Sequence, residues 1–480
     1  MKTLLNALTI SILFCFVAIN TNQAAIRGLT KEPYSRQTPN DSTQADLRLK
    51  QRLEWFQDMK FGLFIHFGMY SQWGCMESWP LVEETKWARP DDLKAWTDRN
   101  KDLELFKHDY RLLNKTFNPT KFDPDKWADA AKQAGMKYFV FTTKHHDGFC
   151  MYDTHQTDYK ISASDCPYHT NARPDIAKEA FKAFRNKGFG IGAYYSKADW
   201  NSPYYWVPDS IAHSCNPNYD TALHPEKWNK FVDFVHKQVE ELMSGYGTVD
   251  ILWLDAGQVR PPLQDIRMDS LVTMARKYQP NLIVVDRTIG GKHENYHTPE
   301  QEVPEKPLSF VWETCMTMSD QWSYKPGDNF KTTHQLIHLL VDIVAKGGNF
   351  LLNVGPQPNG ELPETALSRL SEIGDWMKVN SEAIYGTRAI APYKNGQVAF
   401  TKKADAIYAI YLAKNEGDGL PENVTFSELK PEQGSKVFLL GYKKPLTWKT
   451  ADNGVTTIVV PANAIKSPPC KHAYVFKFSK

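Results

Sequence analysis

Polar residues close a succession of apolar runs along this chain. His66 follows KFGLFI, and His145, His146 and Asp147 follow KYFVFTTK. Tyr195 and Ser196 close GFGIGAYYS, Asp255 closes DILWL, Asp286 and Arg287 close LIVV, and Glu313 follows SFVW. A carboxylate buried without a partner is costly, so Asp255 is either paired or placed where chemistry is done. In a parallel β/α barrel the C-terminal strand ends converge on the active site, so successive polar endings point to one shared pocket. Its contents are carboxylates, histidines, aromatics and one arginine. Two carboxylates beside aromatic platforms suit glycoside hydrolysis, where one attacks the sugar or activates water and the other protonates the leaving group. No GxSxG nucleophile elbow is present. A metal is a competing use of histidines and carboxylates. However, adjacent His145 and His146 point to opposite faces of a strand unless it has ended, and the cysteines lack metal spacing. No metal site and no cofactor are expected.

The elements that must position these residues alternate. Strands are expected at 60–68, 137–146, 188–196, 250–257, 282–287, 309–315 and 349–355. Helices are expected at 125–134, 174–187, 228–246, 266–278, 333–345 and 363–380. Near-continuous apolar strands between helices indicate a parallel sheet covered on both faces. Roughly seven such units over ~330 residues predict an α/β fold, a (β/α)8-like TIM barrel. A doubly wound sheet would carry a glycine-rich phosphate loop after the first strand, which GMYSQWG is not. From about residue 391 short alternating runs predict an antiparallel β-sandwich. The domains read as a signal peptide at 1–25, a barrel at 26–390 with a polar leader over 26–50, and a sandwich at 391–480.

The signal peptide rests on Lys2, the apolar run from Leu4 to about Ile19, and the small residues that follow, a run short for a membrane span. It implies a secreted or periplasmic protein, or a lysosomal one in a eukaryote. The net charge of +2 gives no electrostatic case for nucleic acid or an anionic membrane. Cysteines 75, 150, 166, 215, 315 and 470 remain after cleavage; a chain this large does not need them as staples, and Cys315 reads as a packed core thiol. NKT at Asn114 and NVT at Asn423 fit the glycosylation pattern.

Seven motifs in order across about residues 50 to 390 resemble the α-L-fucosidases of glycoside hydrolase family 29. They are FGLFIHFGMYSQWG, TTKHHDGFCMYDT, YYSKADW, ILWLDAG, VVDR, WETCMTMSDQWSY and GGNFLLNVGPQPNGELP. The resemblance implies a catalytic barrel followed by a β-sandwich, and retaining, metal-free hydrolysis of a fucosylated glycan. It implies Asp255 as nucleophile, with Glu300 in YHTPEQE or Glu313 in WETC as acid/base, Glu300 favoured. It also implies fucose contacts from His66, Glu77, Trp79, His145, His146, Tyr195 and Arg287. Trp322 in DQWSY is placed near the C5 methyl, with a core role as the alternative. Other readings are an exo-glycosidase for another sugar on the same barrel, an inactive carbohydrate-binding homologue and a metal-dependent barrel hydrolase.

Overall fold

The computed structural model describes residues 46–88, 102–208 and 214–479. The expected signal peptide and residues 26–45 of the leader lie outside them. The end of the leader is corrected: Leu47–Met59 form helix α1, capped by the Asp46 side chain, which accepts from the Arg48 and Leu49 amides. Leu49, Leu53, Phe56 and Met59 recur at helical spacing and plug the floor of the sheet that follows.

The sheet is built from β1 (Phe61–Ile65), β2 (Tyr138–Lys144), β3 (Gly190–Ser196), β4 (Ile251–Asp255), β5 (Ile283–Asp286), β6 (Glu313–Thr317) and β7 (Asn349–Val354). Between them run α2 (Leu103–Arg111), α3 (Pro124–Gln133), α4 (Ile176–Asn186), α5 (Pro225–Gly245), α6 (Met268–Tyr278) and α7 (Thr333–Ala345), with α8 (Glu364–Asn380) after β7. Every pairing is parallel and the order is β5-β4-β3-β2-β1-β7-β6. Phe64, Val140, Tyr194, Trp253, Val285 and Leu351 form one cluster inside the curl, while Leu63, Phe139, Ile191, Leu252 and Val284 pack outward against the helices. Burial on both faces is why the strand sequences are nearly continuous in apolar residues.

Between the edge strands β5 and β6 the chain itself completes the wall. The Asp286 amide donates to the His293 carbonyl at 3.0 Å and the Asn295 amide to the Val284 carbonyl at 2.9 Å. The chain then turns up along β6: Glu313 donates to the His297 carbonyl at 2.8 Å, Cys315 to that of Pro299 at 3.1 Å, and Gln301 to that of Cys315 at 3.0 Å. Glu300 therefore sits on a stretch paired to β6 rather than on a free loop.

The C-terminal strands are β8 (Arg388–Asn395), β9 (Val398–Lys402), β10 (Ala406–Leu412), β11 (Asn423–Phe426), β12 (Lys436–Leu439), β13 (Pro445–Thr450), β14 (Thr456–Val459) and β15 (Ala473–Ser479), with a short helix α9 (Ala462–Lys466). Their antiparallel order is β11-β14-β13-β12-β15-β10-β9-β8. Phe426 of β11 packs on Phe400 of β9 at 5.1 Å and on Phe478 of β15 at 6.1 Å, so the sheet doubles over on itself. Strands β8 and β13 escape the sequence reading because their exposed, partly charged residues lack the apolar alternation. The expected strand 309–315 is also shifted: β6 opens at Glu313, which the sequence reading took as a polar ending.

All six described cysteines are free thiols and Cys315 is buried. Asn114 is buried and donates to Asp165 at 2.8 Å, whereas Asn423 is exposed. Among the described residues no helix is long and apolar enough to cross a membrane.

Candidate active site

Asp255 is the last residue of β4. Ala256 then takes a positive φ of 71°, and a Cβ on Gly257 would lie 2.3 Å from Thr288 Oγ1, so glycine is needed where the chain leaves the strand. Asp255 Oδ1 accepts from Arg287 Nη1 at 3.0 Å and Oδ2 accepts from the Tyr194 hydroxyl at 2.8 Å. His146 Nε2 lies 3.9 Å from Oδ2. Burial pushes the carboxyl pKa up, but Arg287, His146 and the Tyr194 hydrogen bond outweigh it and hold Asp255 well below the usual carboxylate range. Arg287, just past β5, also donates through Nη2 to Glu300 Oε2. One guanidinium thus joins both carboxylates.

The histidines are locked from behind. His66 Nδ1 lies 2.7 Å from Asn353 Oδ1, and Asn353 Nδ2 donates to the Trp322 carbonyl at 2.6 Å. The amide oxygen must then be the acceptor, so His66 carries its proton on Nδ1. His146 Nδ1 meets Ser196 Oγ at 2.6 Å, and Ser196 donates onward to the Ala198 carbonyl at 2.7 Å, which fixes the same tautomer. Each ring keeps Nε2 as an acceptor for a hydroxyl. His145 Nδ1 meets Ser78 Oγ at 2.6 Å. Burial pulls His66 and His146 down to about 4 and His145 well below its ordinary value, so all three are neutral at pH 7.

Strand β2 ends at Lys144, so His145 and His146 both leave it and converge, with ring centroids 4.2 Å apart. Together with Asp255 they offer ligand atoms within 4.8 Å of one another. The charge set still disfavours a cation there, because the Arg287 guanidinium already occupies the other Asp255 oxygen.

Trp322, Glu77 and Trp79 join this cluster. The Trp322 ring is 5.1 Å from His66, and the Trp79 ring is 5.3 Å from His146. Glu77 is buried with a strained φ of 40° and accepts the Ser323 amide at 2.7 Å, so it anchors the loop carrying Trp322. Burial pushes Glu77 up to about 8 despite the hydrogen bonds from Ser323.

Two expected site residues are placed elsewhere. The Tyr195 hydroxyl donates to Gln238 of α5 at 2.8 Å and accepts from Lys144 at 3.1 Å, so it faces the helices. Tyr194 takes the pocket position; Gly190, Gly192 and Tyr194 are the inward set on β3, a period-two pattern visible in GIGAYYS. Glu313 opens β6 and lies in the barrel floor, where it accepts from Tyr138 at 2.7 Å and from the Trp253 indole at 3.2 Å. Burial pushes its carboxyl up to about 7, against those hydrogen bonds. Asn353 and Ser78 were missed, and Ser196 was read only as a polar strand ending; nothing in their spacing tells a histidine partner from an ordinary core polar residue.

Two buried ion pairs tie the loop after β3 to its neighbours. Lys197 meets Asp286 at 2.5 Å and Asp199 meets Lys144 at 3.0 Å. Asp286 immediately precedes Arg287, and Lys144 immediately precedes His145. The loop is therefore clamped on both flanks of Asp255.

Comparison with known proteins agrees with this architecture. The α-L-fucosidase family model matches residues 29–382, and the α-L-fucosidase C-terminal domain model matches residues 393–479. The chain is 29% identical to the plasma alpha-L-fucosidase of Rattus norvegicus over 448 residues, covering 90% of this chain and 92% of that protein. The solved alpha-L-fucosidase isoenzyme 1 from Paenibacillus thiaminolyticus superposes with a TM-score of 0.72 at 31% identity, covering 90% of this chain and 99% of that one. A Thermotoga maritima alpha-fucosidase solved with a mechanism-based inhibitor gives a TM-score of 0.71 at 27% identity, covering 91% and 99%. With its parallel barrel-like sheet, its antiparallel C-terminal sheet and both family models matched, the chain belongs to the α-L-fucosidases, glycoside hydrolase family 29.

Proposed function

We propose that this enzyme is an exo-acting, retaining α-L-fucosidase that releases terminal α-L-fucose from glycans by double displacement. Asp255 attacks the anomeric carbon while Glu300 gives its proton to the departing glycosidic oxygen. A fucosyl ester on Asp255 and a free aglycone result. Glu300 then takes a proton from water, the water attacks the anomeric carbon and breaks its bond to the Asp255 oxygen, and fucose leaves with the Asp255 carboxylate regenerated. The observation that carries this reading is the shared Arg287: a single guanidinium spans Asp255 and Glu300 and so holds the two carboxyls close together, as a retaining pair requires. Glu313 lacks such a link, since it lies at a strand start and Asp255 at a strand end. The neutral His66 and His146 supply acceptors for sugar hydroxyls, and Trp322 offers an apolar surface for the C5 methyl, worth roughly 1–3 kcal/mol against a sugar carrying CH2OH there. The mechanism-based inhibitor bound to the Thermotoga maritima relative supports a mechanism with a reactive intermediate. The same reading divides the chain near residue 390 into catalytic barrel and bracing sandwich, and takes residues 1–25 as an export signal.

The test is hydrolysis of an aryl α-L-fucoside by Asp255→Ala, Glu300→Ala and Glu313→Ala, with and without azide. Asp255→Ala is expected to be inactive. Azide is expected to yield α-fucosyl azide, by attack on the β-linked fucosyl ester, with Glu300→Ala alone. Normal activity in Asp255→Ala, or azide rescue confined to Glu313→Ala, overturns the assignment.

A further inference from the structure

Glu313 is a fully buried carboxyl that the proposed chemistry does not use. Its register partner is Asn349, the first residue of β7, so it lies at the strand starts below the pocket. Its two oxygens have separate partners: Oε2 accepts from the Tyr138 hydroxyl and Oε1 from the Trp253 indole N–H. Trp253 connects this floor to the pocket. Its ring lies 5.3 Å from that of Tyr194 at an interplanar angle of 24°, and the Arg287 guanidinium lies 5.5 Å above it. Tyr194 and Arg287 are the two groups that donate hydrogen bonds to Asp255.

An indole has one polar atom, so the in-plane setting of a buried tryptophan follows the acceptor its N–H finds. Here that acceptor is a carboxylate in a site where burying a charge is expensive. We propose that Glu313 is a positioning residue for the nucleophile: through the Trp253 indole it sets the surface on which Tyr194 and Arg287 rest, and so the aim of the Asp255 carboxylate. The role rests on the reading of Asp255 as nucleophile.

Kinetics on a series of aryl α-L-fucosides with good and poor leaving groups test it. The variants are Glu313→Ala, Glu313→Gln, Trp253→Phe, Tyr138→Phe and the double Glu313→Ala/Trp253→Phe. Glu313→Ala and Trp253→Phe are each expected to lower kcat about 10- to 100-fold, by similar factors across the leaving groups and without azide rescue. The double variant is expected to be no slower than the slower single, because both act through one link. Tyr138→Phe leaves the indole contact intact and is expected to lose less than about threefold. A loss that steepens with poorer leaving groups and responds to azide makes Glu313 the acid/base and overturns the proposal. So do losses that multiply in the double variant, or wild-type kcat in Trp253→Phe. If Glu313→Ala does not fold, Glu313→Gln and the contrast between Trp253→Phe and Tyr138→Phe decide. Activity surviving in Asp255→Ala instead removes the nucleophile assignment itself, a separate failure.

Discussion

Asp255 and Glu300 hang from opposite arms of one side chain, with Arg287 donating through Nη1 to the first and through Nη2 to the second. A lysine ammonium lacks the planar fork and cannot hold both carboxylates in this geometry. Arg287→Lys is therefore expected to lower kcat/KM on an aryl fucoside by about 10²- to 10⁴-fold, or roughly 3–5 kcal/mol of transition-state stabilisation, in a protein that still folds. A folded Arg287→Lys variant with near wild-type kcat/KM would show that the bridge is only structural.

Glu77 makes stability depend on pH with a definite sign. Burial raises its pKa from 4.5 to about 8, so between these values the native state keeps a proton that the unfolded chain has lost. That contribution is full below the unfolded value and is lost as pH rises through the folded one. Glu77→Gln has no such titration. Relative to wild type it should gain up to about 1.4 kcal/mol per pH unit from roughly pH 5 to 8, then level off. Thermal melts at several pH values read this directly, and parallel curves for the two proteins count against a protonated native Glu77.

The Lys197–Asp286 pair is a poor investment in stability, since two buried charges cost about as much as their attraction returns. Removing one partner strands the other, so Lys197→Met alone should be destabilised by roughly 3–5 kcal/mol. The double variant Lys197→Met/Asp286→Asn leaves no orphan charge. It should melt close to wild type yet turn over about tenfold or more slowly, because Arg287 follows Asp286 in the chain. Full activity in a stable double variant would mean the pair does not hold the arginine.

His145, His146 and Asp255 form a plausible metal triad on distance alone. Arg287 on Asp255 is the counter-argument. Activity is expected to be unchanged after exhaustive treatment with EDTA. A loss that a divalent cation reverses would restore the metal-hydrolase reading.

How much of this was legible in the sequence follows from what fixes each residue. The parallel strands of the barrel were readable because burial on both faces leaves an unbroken apolar run, and Asp255 stood out against such a run. Side-chain direction was harder. Tyr194 and Tyr195 are identical in type, and only strand parity, anchored on the inward glycines of β3, separates them. Glu313 was misplaced because its apolar neighbours precede the strand rather than belong to it, so a run ending at a carboxylate was mistaken for a strand ending there. The charged clamp of Lys197 and Asp199 was unreadable, since its partners come from β2 and β5 and only tertiary packing brings them together.

The stretch that carries Glu300 also fills the wall between β5 and β6, and this has a consequence for motion. Asp255 closes a strand in a continuous ladder, with β3 on one side and β5 on the other. Glu300 belongs to a seam stitched by isolated bridges. Segments held by fewer contacts open at lower free energy than core strands, so the amides of Gln301 and Cys315 should exchange with solvent before those of Leu252 and Leu254. When this seam breathes, Glu300 moves while Asp255 stays in place, so under the proposed roles hydrolysis would pause without the central strands opening.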